Sequence, residues 1–154
     1  MPGAARIKSR GTFLFSPDLR LLADSDQSGG DACVWDTTTG EQLSHLIGPF
    51  WFQLNTQFEP AGMAFSADGR FLAAANASNR PPEVLIWDVT TGRVVRSLRA
   101  LRSPITGGTD RFHGGTAYWG PRTGLAWHPD GRLLAVATAR DVCIFDVTAR
   151  EADE

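Results

Sequence analysis

Short apolar runs alternate with polar turn residues along most of the chain, most clearly in residues 61–98. Each run there has β-forming residues and is too short to be a helix that buries one face. The four runs are Met63–Phe65, Phe71–Ala75, Val84–Trp87 and Val94–Leu98. The third run, VLIW, is apolar at every position, which predicts a strand covered on both faces. The pattern therefore predicts a four-stranded antiparallel meander buried on both sides.

Turn-forming residues separate the four runs. Asp68 follows the first run and can accept hydrogen bonds from nearby backbone amides, and Gly69 can take the positive φ that closes a hairpin. Residues 76–82 (NASNRPP) form a loop, because two consecutive prolines cannot donate to a sheet ladder. Residues 88–92 (DVTTG) turn the chain once more. A meander of this kind is the blade of a β-propeller.

Two phrases of this module recur elsewhere in the chain. The turn after the first strand is found at 15–18, 65–69 and 127–131, and the third strand is found at 33–36, 85–88 and 143–146. The first-strand and third-strand aromatic residues are 20, 22 and 18 residues apart (15 to 35, 65 to 87, 127 to 145). Self-similarity at this near-constant spacing predicts a repeat protein.

The repeated phrases resemble the WD40 repeat, with its SPDG-like turn and its terminal Trp-Asp pair, over roughly residues 11–150. The positions that match the Trp-Asp pair are Trp35, Asp36, Trp87, Asp88, Phe145 and Asp146. The resemblance implies an all-β, propeller-like fold of about three four-stranded antiparallel blades that makes an incomplete ring on its own. It also implies a rigid platform for other proteins rather than a catalyst.

Two features depart from the family pattern. No Gly-His pair stands before any first strand, so a buried hydrogen-bond network built on that histidine is not expected, and each blade should depend more on apolar packing. Phe145 replaces the tryptophan in the third copy and removes the indole N–H there.

The repeats predict one WD40-like domain over residues 1–154. Its expected parts are blade 1 at about 11–47, blade 2 at about 61–99, blade 3 at about 123–150, and long linkers at 47–60 and 100–123. Propellers close with roughly 4–8 blades, so three would leave apolar faces uncovered. We expect either a homodimer that makes six blades or a segment or remnant of a longer propeller protein, with an irregular open β structure as the third alternative.

Composition excludes several function classes. Apolar residues make up 42% of the 154-residue chain, charged residues make up 21%, and the net charge is −2. This balance gives no reason to expect nucleic acid or an anionic membrane as a partner. No apolar segment follows the cations of the first ten residues, and no run reaches membrane-spanning length. We expect a cytoplasmic protein.

The chemistry-bearing residues are sparse. Cys33 and Cys143 occupy the same position in blades 1 and 3, too far apart for a disulfide, and are expected to be small buried hydrophobes. His128 takes a turn position and His45 falls in or beside a fourth strand. Neither a metal site nor a cofactor is expected. The recurring aspartates Asp18, Asp68 and Asp130 are expected to form turns rather than to catalyse.

One candidate partner-binding surface comes from the two long linkers. Its residues are Phe50, Trp51, Phe52, Phe58, Phe112, His113, Tyr118 and Trp119. Aromatic area on neighbouring loops suits a protein or peptide anchor, although the same residues could cap the ends of the blades. We therefore predict a non-enzymatic protein-interaction scaffold with an unidentified protein partner. The alternatives are a lactonase-like propeller enzyme or small-molecule binder, and the sensor part of a bacterial signalling protein.

Overall fold

The computed structural model describes residues 6–7, 13–25, 31–48, 62–76, 83–99, 124–137 and 141–149. All regular structure in these ranges is β-strand. The strands are β1 Phe13–Phe15, β2 Leu21–Ser25, β3 Ala32–Asp36, β4 Gln42–Leu46, β5 Met63–Phe65, β6 Phe71–Asn76, β7 Glu83–Asp88, β8 Arg93–Leu98, β9 Leu125–Trp127, β10 Leu133–Ala137 and β11 Val142–Asp146.

These strands form three antiparallel sheets, and neighbours in sequence are neighbours in each sheet. Blade 1 has the order β1-β2-β3-β4, blade 2 has the order β5-β6-β7-β8, and blade 3 has the order β9-β10-β11. Hydrophobic runs separated by tight turns fold as meanders because each short strand pairs with the strand that follows it. The predicted all-β fold of antiparallel blades is confirmed, and the described residues do not close a ring.

The third and fourth strands pair with the same irregularity in blades 1 and 2. The register shifts between Val34 and Trp35 in blade 1, and between Ile86 and Trp87 in blade 2. A bulge of this kind increases the local twist of the sheet. Its recurrence at the same position shows that the blades are alike in geometry as well as in sequence.

Blade 2 is buried on both of its faces, as the VLIW run predicts. All of β7 is buried. Because side chains alternate across a strand, Leu85 and Trp87 join an apolar core shared with blade 1, whereas Val84 and Ile86 join a second core shared with blade 3. The stability of this arrangement therefore comes from packing between blades.

The first strands of the three blades lie beside one another. β5 is in contact with β1 on one side and with β9 on the other. In a propeller the first strand of each blade is the one nearest the centre, so this contact pattern fits blades arranged about a common axis.

Candidate binding surfaces

The turn after the first strand is built from a serine and an aspartate. Ser66 Oγ donates a hydrogen bond of 2.6 Å to Asp68 Oδ1, which also accepts one of 3.0 Å from the backbone N–H of Arg70. Ser66 Oγ in turn accepts a bond of 2.9 Å from the backbone N–H of Phe71. The Ser66 hydroxyl, followed by the Arg70 amide, lowers the pKa of Asp68.

Blades 1 and 3 use the same turn with small changes. Ser16 and Asp18 repeat the blade 2 bonds, with 2.7 Å between Oγ and Oδ1. In blade 3 His128 stands where the serine would be, and its Nδ1 lies 2.9 Å from Asp130 Oδ1. The predicted turn roles of Asp18, Asp68, Asp130 and His128 are confirmed.

The aspartate of each Trp-Asp position also closes a turn. Asp88 Oδ1 accepts bonds of 2.9 Å and 3.2 Å from the backbone N–H groups of Thr90 and Thr91, and Arg70 Nη2 lies 3.1 Å from Oδ2. Burial alone raises the pKa of Asp88, but the Thr91 amide and the Arg70 side chain outweigh it and the pKa is lowered. The carboxylate is held ionised by structural bonds.

Blade 3 repeats this arrangement with a shorter distance between arginine and aspartate, and in blade 1 the equivalent arginine pairs with a different aspartate. Arg132 donates to Asp146 Oδ2 through Nε at 2.7 Å, and this bond, followed by that of the Thr148 hydroxyl, lowers the Asp146 pKa. In blade 1 Asp36 accepts hydrogen bonds from the backbone N–H groups of Thr38 and Thr39. The equivalent arginine, Arg20, lies 3.8 Å from Asp18 instead.

Tryptophan indoles bridge neighbouring blades. Trp87 is 1% exposed, and its Nε1 donates to the backbone oxygen of Ile47, just beyond the last strand of blade 1. Trp127 Nε1 donates to the backbone oxygen of Ala64 in blade 2 at 3.0 Å. Blade 3 therefore has an indole hydrogen bond to its neighbouring blade, although Phe145 replaces the tryptophan of its third strand. The sequence reasoning missed this bond, although Trp127 stood in the repeated first-strand phrase.

Trp35 differs from the other two tryptophans. Its Nε1 is buried and has no hydrogen-bond partner within the described residues. In blade 2 the equivalent indole, that of Trp87, bonds to the preceding blade, and blade 1 has no preceding blade in the described part of the chain.

A buried polar cluster at the outer edge of blade 2 was also missed. Glu83 accepts a bond of 2.5 Å from Ser97 Oγ and one of 2.9 Å from Arg99 Nε, and the Glu83 side chain is 8% exposed. The sequence pattern did not single out Glu83, because only the pairing of β7 with β8 brings Ser97 and Arg99 next to it. These hydrogen bonds link Ser97 of β8, and Arg99 just after it, to Glu83 of β7.

The cysteines and histidines do not assemble a metal centre among the described residues. Cys33 and Cys143 form no disulfide, and both are half-buried rather than fully buried. His45 lies in β4, and its Nε2 is 3.1 Å from Asp31 Oδ2. No group of three or more potential metal ligands occurs in these ranges.

The predicted aromatic surface lies outside the described residues. This applies to all eight of its members, which are Phe50, Trp51, Phe52, Phe58, Phe112, His113, Tyr118 and Trp119. Their role as a partner-binding surface stays a prediction.

Two apolar blade faces are open in the described structure. On blade 1, Phe13 is 57% exposed and Phe15 is 48% exposed. On blade 3, Val142 is 65% exposed and Ile144 is 68% exposed. Side-chain alternation puts both pairs on the sides of their blades that point away from blade 2. These faces are the clearest candidate binding surfaces among the described residues.

Stacked meanders with apolar faces define the fold as that of a β-propeller. The chain is similar to the β-propeller domain of Cps50 (Swd1) from Myceliophteria thermophila, with a TM-score of 0.63 and 20% identity, over 97% of this chain and 39% of that chain. It is also similar to hydrazine synthase from Kuenenia stuttgartiensis, with a TM-score of 0.62 and 18% identity, over 96% of this chain and 35% of that chain.

At identities of 18–20% the similarity to these structures defines the fold. The chain spans less than two fifths of the length of the first of these structures. No protein-family model and no curated protein matches the sequence. In the described ranges no helix is long and apolar enough to cross a membrane.

Proposed function

We propose that this chain is a non-enzymatic protein-interaction scaffold that works as part of a larger propeller. The observation that supports this most directly is the pair of open apolar faces at its two ends, with Phe13 and Phe15 on one and Val142 and Ile144 on the other. Apolar area of this kind is rarely left exposed in a working protein and marks a contact site. We further propose a cytoplasmic location and no nucleic-acid, membrane or cofactor partner.

The bonding of the aspartates supports a role other than catalysis. The six that recur in the repeats accept bonds from their own turns or from a neighbouring arginine, as Asp68 and Asp88 do. The pKa of both of these carboxyls is lowered, which suits a fixed acceptor and not a general acid near neutral pH.

The linker aromatics are the proposed anchors for a protein partner. The experiment is affinity capture of interacting proteins with the full chain, compared with a variant that carries Trp51→Ala and Trp119→Ala. A matched control is Val95→Ala, which removes an exposed apolar side chain from β8. We expect the control to retain a reproducible partner and the double variant to lose it.

An activity assay of the purified, unaltered chain tests whether the protein is an enzyme. One of the similar structures is hydrazine synthase, so the enzyme class is the alternative to test. Turnover of a panel of lactones by the purified chain, with loss on changing a single aspartate or histidine, would overturn the proposal. Capture of no specific partner by the unaltered chain would do the same.

A further inference from the structure

The open face of blade 3 repeats the face that blade 2 turns toward blade 3. We call the side of a blade that points to the next blade its following face. On the first three strands of blade 2 this face is formed by Ala64, Phe71, Ala73, Ala75, Val84 and Ile86, and Leu98 of the fourth strand joins it. The residues at the same strand positions of blade 3 are Ala126, Leu133, Ala135, Ala137, Val142 and Ile144. Five of the six positions carry the same residue, and the sixth replaces phenylalanine by leucine.

The open face of blade 1 repeats the other half of that contact. We call the side that points to the previous blade the preceding face. Blade 3 packs this face on blade 2 through Leu125, Trp127, Leu134, Val136, Cys143 and Phe145. The residues at the same positions of blade 1 are Phe13, Phe15, Leu22, Asp24, Cys33 and Trp35. Leucine and cysteine recur unchanged and both aromatic positions stay aromatic, whereas Phe13 replaces Leu125 and Asp24 replaces Val136. Leu22 and Asp24 are buried within the chain, so the exposed large apolar side chains of this face are Phe13 and Phe15.

At most of these positions the two open faces therefore match the two halves of the contact that the molecule makes between blades 2 and 3. Small and branched side chains on one half receive aromatic side chains on the other. If the following face of a blade 3 packed on the preceding face of blade 1, the contact would be of the same type as the one between blades 2 and 3.

Trp35 marks a part of the contact that the described strands of blade 3 do not supply. Its indole nitrogen is buried and lacks a partner in the described residues. The equivalent nitrogen of Trp87 donates to a backbone oxygen just past the fourth strand of the preceding blade. Blade 3 has no fourth strand among the described residues, so a hydrogen bond to Trp35 is not part of the proposed contact.

From these relationships we infer that the partner for each open face is a second copy of this chain, with blade 3 of one copy packed on blade 1 of the other. Two such contacts related by a two-fold axis close a ring of six blades, within the 4–8 typical of propellers. The inference rests on the proposed function in one respect, that the chain works as part of a closed propeller. It names the component that completes the ring.

Three single variants test the interface by light scattering of the full chain. The unaltered chain should have about twice the mass of one 16.7 kDa chain. Phe15→Lys and Ile144→Glu each put a charge on one face, and each should raise the dimer Kd by at least about 30-fold. Leu19→Lys is the matched control, because Leu19 is 65% exposed but lies in a turn; it should leave the Kd unchanged. Unfolding curves confirm that each variant is folded.

Mixing the two face variants tests the head-to-tail arrangement. A Phe15→Lys chain paired with an Ile144→Glu chain has one unaltered interface, so the mixture should form dimers that neither variant forms alone. A monomeric unaltered chain, a dimer that survives both substitutions, or a mixture that stays monomeric would overturn the inference. A monomer that still captures a protein partner would leave the proposed function standing, whereas a dimer that captures none would overturn that function alone.

Discussion

The indole nitrogen of Trp87 donates a hydrogen bond to the backbone oxygen of Ile47, 3.3 Å away and forty residues earlier in the chain. The bond joins the third strand of blade 2 to the end of blade 1. It lies at the rim of an apolar core that both blades share. A tryptophan at this position therefore serves two purposes, filling the space between blades and fixing how they are placed.

Two substitutions at Trp87 should separate these purposes. Trp87→Ala removes a fully buried aromatic side chain and should cost about 3–5 kcal/mol of unfolding free energy. Trp87→Phe keeps most of the apolar contact, loses the bond to Ile47 and should cost about 1–2 kcal/mol. Urea unfolding measures both. Equal losses for the two variants would contradict a separate contribution from the indole N–H.

The turn at Leu19 offers a stabilising substitution. Leu19 has a φ of 62°, at the turn position where blades 2 and 3 have Gly69 and Gly131 with φ of 71° and 73°. A side chain in this left-handed region costs roughly 1 kcal/mol. Leu19→Gly should therefore raise the unfolding free energy by up to about 1 kcal/mol, as measured by thermal or urea unfolding.

The reverse substitution is the control for this turn. A Cβ added at Gly131 would meet no atom within 4 Å, so Gly131→Ala tests the backbone conformation without a clash. It should lower the unfolding free energy by about 1 kcal/mol. If both variants leave stability unchanged, the left-handed conformation is not strained for either residue type.

The ion pair at the edge of blade 2 should contribute to stability. Arg99→Ala removes the charge partner of the buried Glu83 carboxylate and should cost about 1–3 kcal/mol. Arg93→Ala, which removes an exposed arginine at the start of β8, should change stability by less than about 0.5 kcal/mol. The comparison is made by urea unfolding. An equal effect of the two substitutions would show that Glu83 does not depend on Arg99.

Stability should fall in acid because six repeated aspartates have lowered pKa values. These are Asp18, Asp36, Asp68, Asp88, Asp130 and Asp146. The ordinary pKa of an aspartate is 3.8. When folding lowers this pKa, the carboxylate makes its full contribution to the unfolding free energy above pH 3.8. That contribution is lost as the pH falls from 3.8 through the folded-state pKa. We expect unfolding free energy to be flat near neutral pH and to decline below about pH 4.

Asp88→Asn tests the origin of this acid dependence. The variant keeps the size of the side chain but removes the charge that Arg70 and the turn amides stabilise. It should be less stable than the unaltered chain at neutral pH, and the difference should shrink as the pH falls. A difference that stays constant with pH would show that protonation of Asp88 does not contribute.

Much of the described fold follows from local sequence. The short apolar runs, VLIW among them, and the turn residues around Asp68 and Asp88 are enough to predict four antiparallel strands, because each strand pairs with its immediate neighbour. The candidate linker surface was also named from sequence, and it stays a prediction because its residues lie outside the described ranges. The bonds of Trp127 and Glu83 were not foreseen, because their partners depend on strand register and on contact between blades.

The sequence by itself determined the repeat, the strands and the turns, since these depend on hydrophobic period and on residues close in the chain. Only the tertiary structure decided which side of each blade is covered. Blade 2 has both faces buried, whereas Phe15 on blade 1 and Ile144 on blade 3 face outward. A blade that is apolar on both faces requires a neighbouring blade on each side. The strand pattern does not show which of these faces are buried within the same chain. That is decided by the stacking of whole blades, a contact between residues distant in sequence.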